Sequence, residues 1–273
     1  MTSQTKRRPV MASLTGSITR GQETEALKAL QARKIDAEDF AAIGTNNLLA
    51  DEVAALILKY RLFTPPAEQI QKILEINEAV WKNLAITAEA VAALGDPPNC
   101  PPSDDQHLYG ICLFYETGDP VKTFQLNWEA CIHVHQPEGV LKWDGLVFTP
   151  QGVRQRDTAK PRPIGLRWQV CELGRQFQGQ SVRKVLPQLD QCQKIGMGQE
   201  LPLVATLHPK WVKSINGQDI PFVDAPDLEV APHGRGDFFG APSLSFLSDI
   251  RQVDLHATSV GHRSGRYGSG VLQ

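Results

Sequence analysis

The chain has no long apolar run, almost no net charge and no paired cysteines, and each lack excludes a class of protein. No stretch approaches the ~18 consecutive apolar residues of a membrane-spanning helix. The 28 Lys and Arg residues face 30 Asp and Glu, a net charge of −2. That leaves no global field for holding a polyanion, so nucleic-acid binding driven by charge is not expected. Five cysteines (Cys100, Cys112, Cys131, Cys171, Cys192) are widely spaced with no CxxC. Such spacing reads as free, mostly buried thiols in a reducing compartment, not as a zinc ribbon or a disulfide framework. Arg7 and Arg8 are followed by no continuous apolar stretch, so no cleavable signal is visible. The expected location is the cytoplasm, unless a route not visible in the sequence carries the protein to a surface. Also missing are a GxSxG elbow, an HExxH helix and a Walker A loop.

What is present suits a globular chain: 273 residues, 41% hydrophobic and 21% charged. Residues 1–22 read as a mobile arm. Residues 23–98 read as a helical region. Apolar spacing predicts helices over 23–34, from Asp36 as a cap through Ile43, over 48–62, and within 67–94 after Thr64-Pro65-Pro66. Gly95-Asp96-Pro97-Pro98 ends that region. From residue 99 onward the texture changes to short apolar runs with many Gly and Pro. Strands are expected over 108–115, 141–148, 166–173 and 201–207, and at 222–223, 228–230, 244–247 and 253–256. Ser181 to Cys192 predicts a helix, and Phe124 to Gly139 fits either a strand or a helix. The fold class is α+β without repeating βαβ units.

Few local motifs carry chemistry. His133-Val134-His135 would share a face, and so one cation, if it lay in a strand; in a helix the rings diverge. With no third ligand nearby, two ordinary histidines are the commoner case, and no cofactor or metal is expected. Arg235-Gly236-Asp237 reads as part of a glycine turn. Gly265, Gly268 and Gly270 do not open a helix after a strand, so they form no phosphate loop. Arg154, Arg156, Lys160, Arg162 and Arg167 form a basic stretch, read as a solvated loop because of Pro161 and Pro163. Asp224, Asp227 and Glu229 read as a polar rim.

The last 32 residues, Pro242–Gln273, differ from the rest. They hold Ser243, Ser245, Ser248, Ser259, Ser264 and Ser269 with His256, Thr258, His262 and Tyr267, yet no Lys and no Glu. A framework of Leu244, Phe246, Leu247, Ile250, Val253, Leu255, Val260, Val271 and Leu272 runs between them. Together with four tryptophans after residue 99 and the ending Arg266-Tyr267-Gly268-Ser269-Gly270-Val271-Leu272-Gln273, this texture resembles variable proteins of diversity-generating retroelements. In that family a reverse transcriptase rewrites adenines near the 3′ end of the gene, which yields Ser, Gly, Asp, His, Tyr, Thr or Arg but never Lys or Glu.

The resemblance implies a C-type lectin-like domain over 99–273 with a variable segment at 242–273, and a non-enzymatic display protein that binds a protein or other macromolecular ligand. The reverse transcriptase is then a genomic neighbour, not a bound partner. The implied contact residues are Ser243, Ser245, Ser248, Asp249, His256 and Thr258, followed by Ser259, His262, Ser264, Tyr267 and Ser269. No calcium motif accompanies them. Two other classes compete: a metal-dependent or formylglycine-generating enzyme on a related fold, for which no cysteine after Cys192 qualifies, and an interaction protein that docks through its helical region.

Overall fold

A computed structural model of the protein describes residues 37–46, 49, 53 and 62–273 except 83, 85 and 102. The expected arm at 1–22 and helix at 23–34 lie outside the described residues, as does nearly all of the helix expected at 48–62. Two compact units divide at 61/62. In the first, α1 (Ala37–Thr45) matches the short helix expected there. The second unit contains every other described element. It therefore takes in residues 62–98, which the sequence reading grouped with the helical region.

Helix starts in the second unit follow local chemistry. In α2 (Pro66–Ala79), proline occupies the first turn, where its missing N–H costs nothing. In α3 (Ala88–Ala92), the Thr87 side chain accepts from the Ala90 N–H. In α4 (Pro120–His135), the Asp119 carboxylate accepts from the amides of Val121 and Lys122. This settles the ambiguous segment as a helix, so His133 and His135 diverge: His133 is exposed, and half-buried His135 donates Nε2–H to the Ala205 carbonyl at 3.1 Å. The expected 181–192 helix is α5 (Val182–Gln191).

The expected strand at 201–207 is instead a helix, α6 (Leu201–Leu207), followed by α7 (Pro209–Lys213). All seven residues of α6 are buried and its single polar residue is Thr206, so no exposed polar face marks the period. Pro202 at the first turn is the helix-compatible feature.

Ten strands form one mostly antiparallel sheet. Before α5 come β1 (Tyr109–Glu116), β2 (Val140–Lys142), β3 (Val153–Gln155) and β4 (Gly165–Leu173). After it come β5 (Ile195–Gly196), β6 (Phe222–Asp224), β7 (Leu228–Val230), β8 (Gly240–Leu247), β9 (Gln252–Ser259) and β10 (Tyr267–Leu272). The main path is β1-β4-β10-β6-β8-β7-β3, with β9 paired to both β8 and β2. The pairings β10–β6 and β2–β9 are parallel. The strand expected over 141–148 stops at Lys142, because residues 143–145 turn away.

Ile73 and Ile76 of α2, Phe124 and Trp128 of α4, and Leu203 and Leu207 of α6 pack in one core with Leu113, Val223, Leu244 and Leu255 of the sheet. A smaller cluster of Phe177, Val185, Leu189 and Val271 places α5 near β10. At the β4–β10 edge, Gly174 (φ +87°) and Gly268 touch backbone to backbone, and a Cβ on either would strike the other's carbonyl. Gly268 and Gly270 are thus interior strand residues. No helix among the described residues is long and apolar enough to cross a membrane.

Candidate functional site

Successive residues of a strand point to opposite faces, so the pairing register assigns each side chain of the 222–272 region to a face. Ser269 pairs with Asp224, Asp224 with Ser243, and Ser243 with His256. These four form a continuous polar row across β10, β6, β8 and β9. Two residues along, Tyr267 pairs with Phe222, Ser245 with Asp254 and Ala241 with Thr258 on the same face. The alternate positions Val223, Leu244, Val253 and Leu255 are fully buried in the core behind it.

His256 and Tyr267 stand three strands apart, yet their rings meet at 6.2 Å between centroids, with the Tyr267 hydroxyl 3.4 Å from His256 Nε2. Paired strands are ~4.8 Å apart, so the two side chains must lean together over β6 and β8. Thr258 also crosses β8 to donate its hydroxyl to Asp224 Oδ1 at 3.1 Å. The small Ala241 opposite Thr258 leaves room for that reach. The polar face is therefore concave.

Beneath this roof Ser243 and Ser269 are fully buried, and neither Oγ makes a hydrogen bond of regular geometry among the described residues. Ser243 sits beside the Asp224 carboxyl without a bond of regular geometry. Burial pushes the Asp224 carboxyl up to about 6, opposed only in part by the Ser243 and Thr258 hydroxyls and by His256. His256 Nδ1 lies 2.9 Å from Asp254 Oδ2, close enough to pair when the ring is protonated but not aligned for an N–H bond. Asp254 Oδ2 also accepts the Ser245 hydroxyl at 3.2 Å. Burial raises the Tyr267 phenol, and the charges of Asp224 and Asp254 add to that.

Of the eleven residues singled out in the sequence, six converge here: Ser243, Ser245, His256, Thr258, Tyr267 and Ser269. Ser243, Ser245 and Ser269 are buried, which differs from the solvent-facing patch expected of them. The reason is the contact between Tyr267 and His256, whose rings meet over β6 and β8 and cover the serines between them. Ser259 and His262 are exposed and Ser264 is half-buried in the β9–β10 connection, where the His262 ring packs edge-on to Tyr267 at 5.3 Å. Ser248 and Asp249 lie apart, exposed in the β8–β9 turn.

Asp254 was missed, although the alternation Asp254-x-His256-x-Thr258 between Val253 and Leu255 marks one polar face. Asp224 was read only as a rim residue. Its companions do something else. Asp227 and Glu200 sandwich Arg162, whose side chain is 2% exposed, at 3.0 and 2.9 Å, and Arg167 joins Glu200 at 2.9 Å. Arg154 and Arg156 both grip Glu229 at 2.8 Å. The basic stretch is thus largely an ion-paired structural element and not a solvated loop, because the fold brings carboxylates from 200–229 onto it.

A second pair resembles a nucleophile and its base. Cys112 Sγ lies 3.1 Å from His208 Nε2. The His208 Nδ1 accepts the Thr64 N–H, so Nε2 carries the proton and also faces the Ile111 carbonyl at 3.1 Å. Both side chains are fully buried. Among the described residues, no group of three or more His, Cys, Asp or Glu gathers to hold a metal ion. No protein-family model matches the chain, and no curated protein or solved structure is found to be similar to it.

Proposed function

We propose that this chain is a non-enzymatic ligand-binding protein whose contact surface is the concave polar face of β10, β6, β8 and β9 together with the β9–β10 connection. The observation that carries the proposal is the row Ser269–Asp224–Ser243–His256, on one face by register, with two buried hydroxyls that make no regular hydrogen bond among the described residues. Buried polar groups normally have partners, and a cluster that lacks them beside a carboxyl of raised pKa marks a binding site. Tyr267 and His256 offer rigid amphipathic contact area, while Thr258, Ser259 and His262 offer adaptable hydrogen bonds. Binding is favoured over acyl transfer because His256 is engaged by Asp254 and Tyr267 and by no serine.

The C-type lectin-like fold and diversification by a retroelement belong to the same proposal. The mixed α+β content and the mostly antiparallel sheet support the fold reading. Exposed Ser248, Asp249, Ser259 and His262 are where substitution leaves packing intact, so the diversified set is smaller than the composition alone implies. Two experiments test the proposal. DNA flanking the gene should contain a near-copy of the codons for 242–273 that differs at adenines, beside a reverse transcriptase gene; its absence removes the diversification. A fragment screen followed by amide NMR shifts should perturb His256, Thr258 and Tyr267, and His256→Ala should abolish the response. Perturbations confined to other surfaces would remove the site.

A further inference from the structure

On the core side of β8, at the tip of the β8–β9 hairpin, His135, Gly139, Lys213, Phe246, Ser248 and Arg251 line a cavity of about 360 Å³. We propose that this cavity binds a small phosphate monoester, its dianion held between Lys213 and Arg251 and its organic part against Phe246.

Three elements distant in sequence supply these groups: the end of α4, the end of α7 and the hairpin turn. Among the described residues, neither Lys213 nor Arg251 forms an ion pair. The carboxylates that adjoin lining residues in sequence, Glu138 beside Gly139 and Asp249 beside Ser248, are exposed and pair with neither cation. Two cations brought to one cavity without a counter-charge repel each other, and a shared dianion reverses the sign of that interaction. The charge of Lys213 is felt at His135. Burial lowers its pKa first, and Lys213 and Lys72 lower it further, against the bond to the Ala205 carbonyl.

The backbone of Arg251 gives an independent indication. It closes the turn in the left-handed region, at φ +58°. Glycine or asparagine adopts that conformation at lower cost, about 1 kcal/mol for an ordinary residue. Arginine there brings a planar donor fork to the lining of the cavity, and that fork matches phosphate oxygens. Lys213 adds a point charge and Ser248 a hydroxyl, while the half-buried Phe246 ring supplies an apolar wall. The cavity lies at the small end of ligand pockets, which favours a compact monoester over a nucleotide.

Calorimetric titration of the full chain with phenyl phosphate, inorganic phosphate and benzyl alcohol tests the proposal. Saturable binding of phenyl phosphate is expected, with weaker binding of inorganic phosphate and none of the alcohol. Arg251→Gly relieves the strained backbone while removing the fork, so it should melt no lower than the parent and bind at least about tenfold more weakly. Lys213→Gln, at an exposed position, should weaken binding similarly, and His256→Ala should leave it unchanged. No saturable binding of phenyl phosphate at millimolar concentration overturns the proposal. So does equal binding of benzyl alcohol, or phenyl phosphate affinity that survives both Arg251→Gly and Lys213→Gln.

Discussion

Asp224 binds its proton more tightly in the folded chain than in the unfolded one, since burial moves it from 3.8 to about 6. Between those values the folded state holds more protons, so its contribution to stability falls as pH rises through that window. Asp227, also raised to about 6 chiefly by burial, adds a slope of the same sign. Asp224→Asn keeps an acceptor for Thr258 and removes the charge. Denaturant titrations from about pH 4 to 7 should show a flatter profile for the variant and a gain at neutral pH on the order of 3 kcal/mol. An unchanged pH profile would contradict the burial of that carboxyl. A second contrast separates the buried middle of the β8–β9 hairpin from its turn. Leu255→Ala empties a fully buried site and should cost about 2–5 kcal/mol, whereas exposed Ser248→Ala should move the melting temperature little. The polar face was legible residue by residue wherever it alternates with apolar neighbours, as at 254–258. What no local pattern conveys is that Ser243, Ser245 and Ser269 lie under a roof, because two side chains from strands that are not adjacent make it.

Among the elements, β1, β4, β8, β9 and α5 follow from period and bounding turns, and each lies within a few residues of its expected place. Leu201–Leu207 went the other way for a physical reason: burial on all sides removes the exposed polar face by which a helix announces itself. The loop that carries Arg162 shows the converse limit. Its charges are visible in the sequence, but their carboxylate partners come from β7, from the turn before it and from the start of α6. Arg162→Ala would strand Glu200 and Asp227 in the interior, and should cost about 3–5 kcal/mol by chemical denaturation. Arg154→Ala, at a more exposed pair that shares Glu229 with Arg156, should cost under about 1 kcal/mol. Comparable losses at both would mean that the 162 network is not buried as described.

For the molecule as a whole, the sheet depends on its last described strand. β10 joins β4 on one side and β6 on the other, so removing 267–273 would split the sheet into two halves, each with an unpaired edge. A chain truncated after Arg266 should lose its cooperative melt and near-ultraviolet signal entirely, and should not behave as a protein shortened by a loose tail. The composition of the region, rich in serine and glycine, suggests such a tail; only the pairing reveals a keystone. There is a consequence for the chain as it is made. Translation delivers β4, which pairs with β1, and β6, which pairs with β8, before β10 is complete, and neither can fill its second edge until residues 267–272 have left the ribosome. The nascent protein must wait, with two adhesive edges open, for the strand that will separate them. Its yield in a cell should therefore depend on how well those edges are shielded during synthesis.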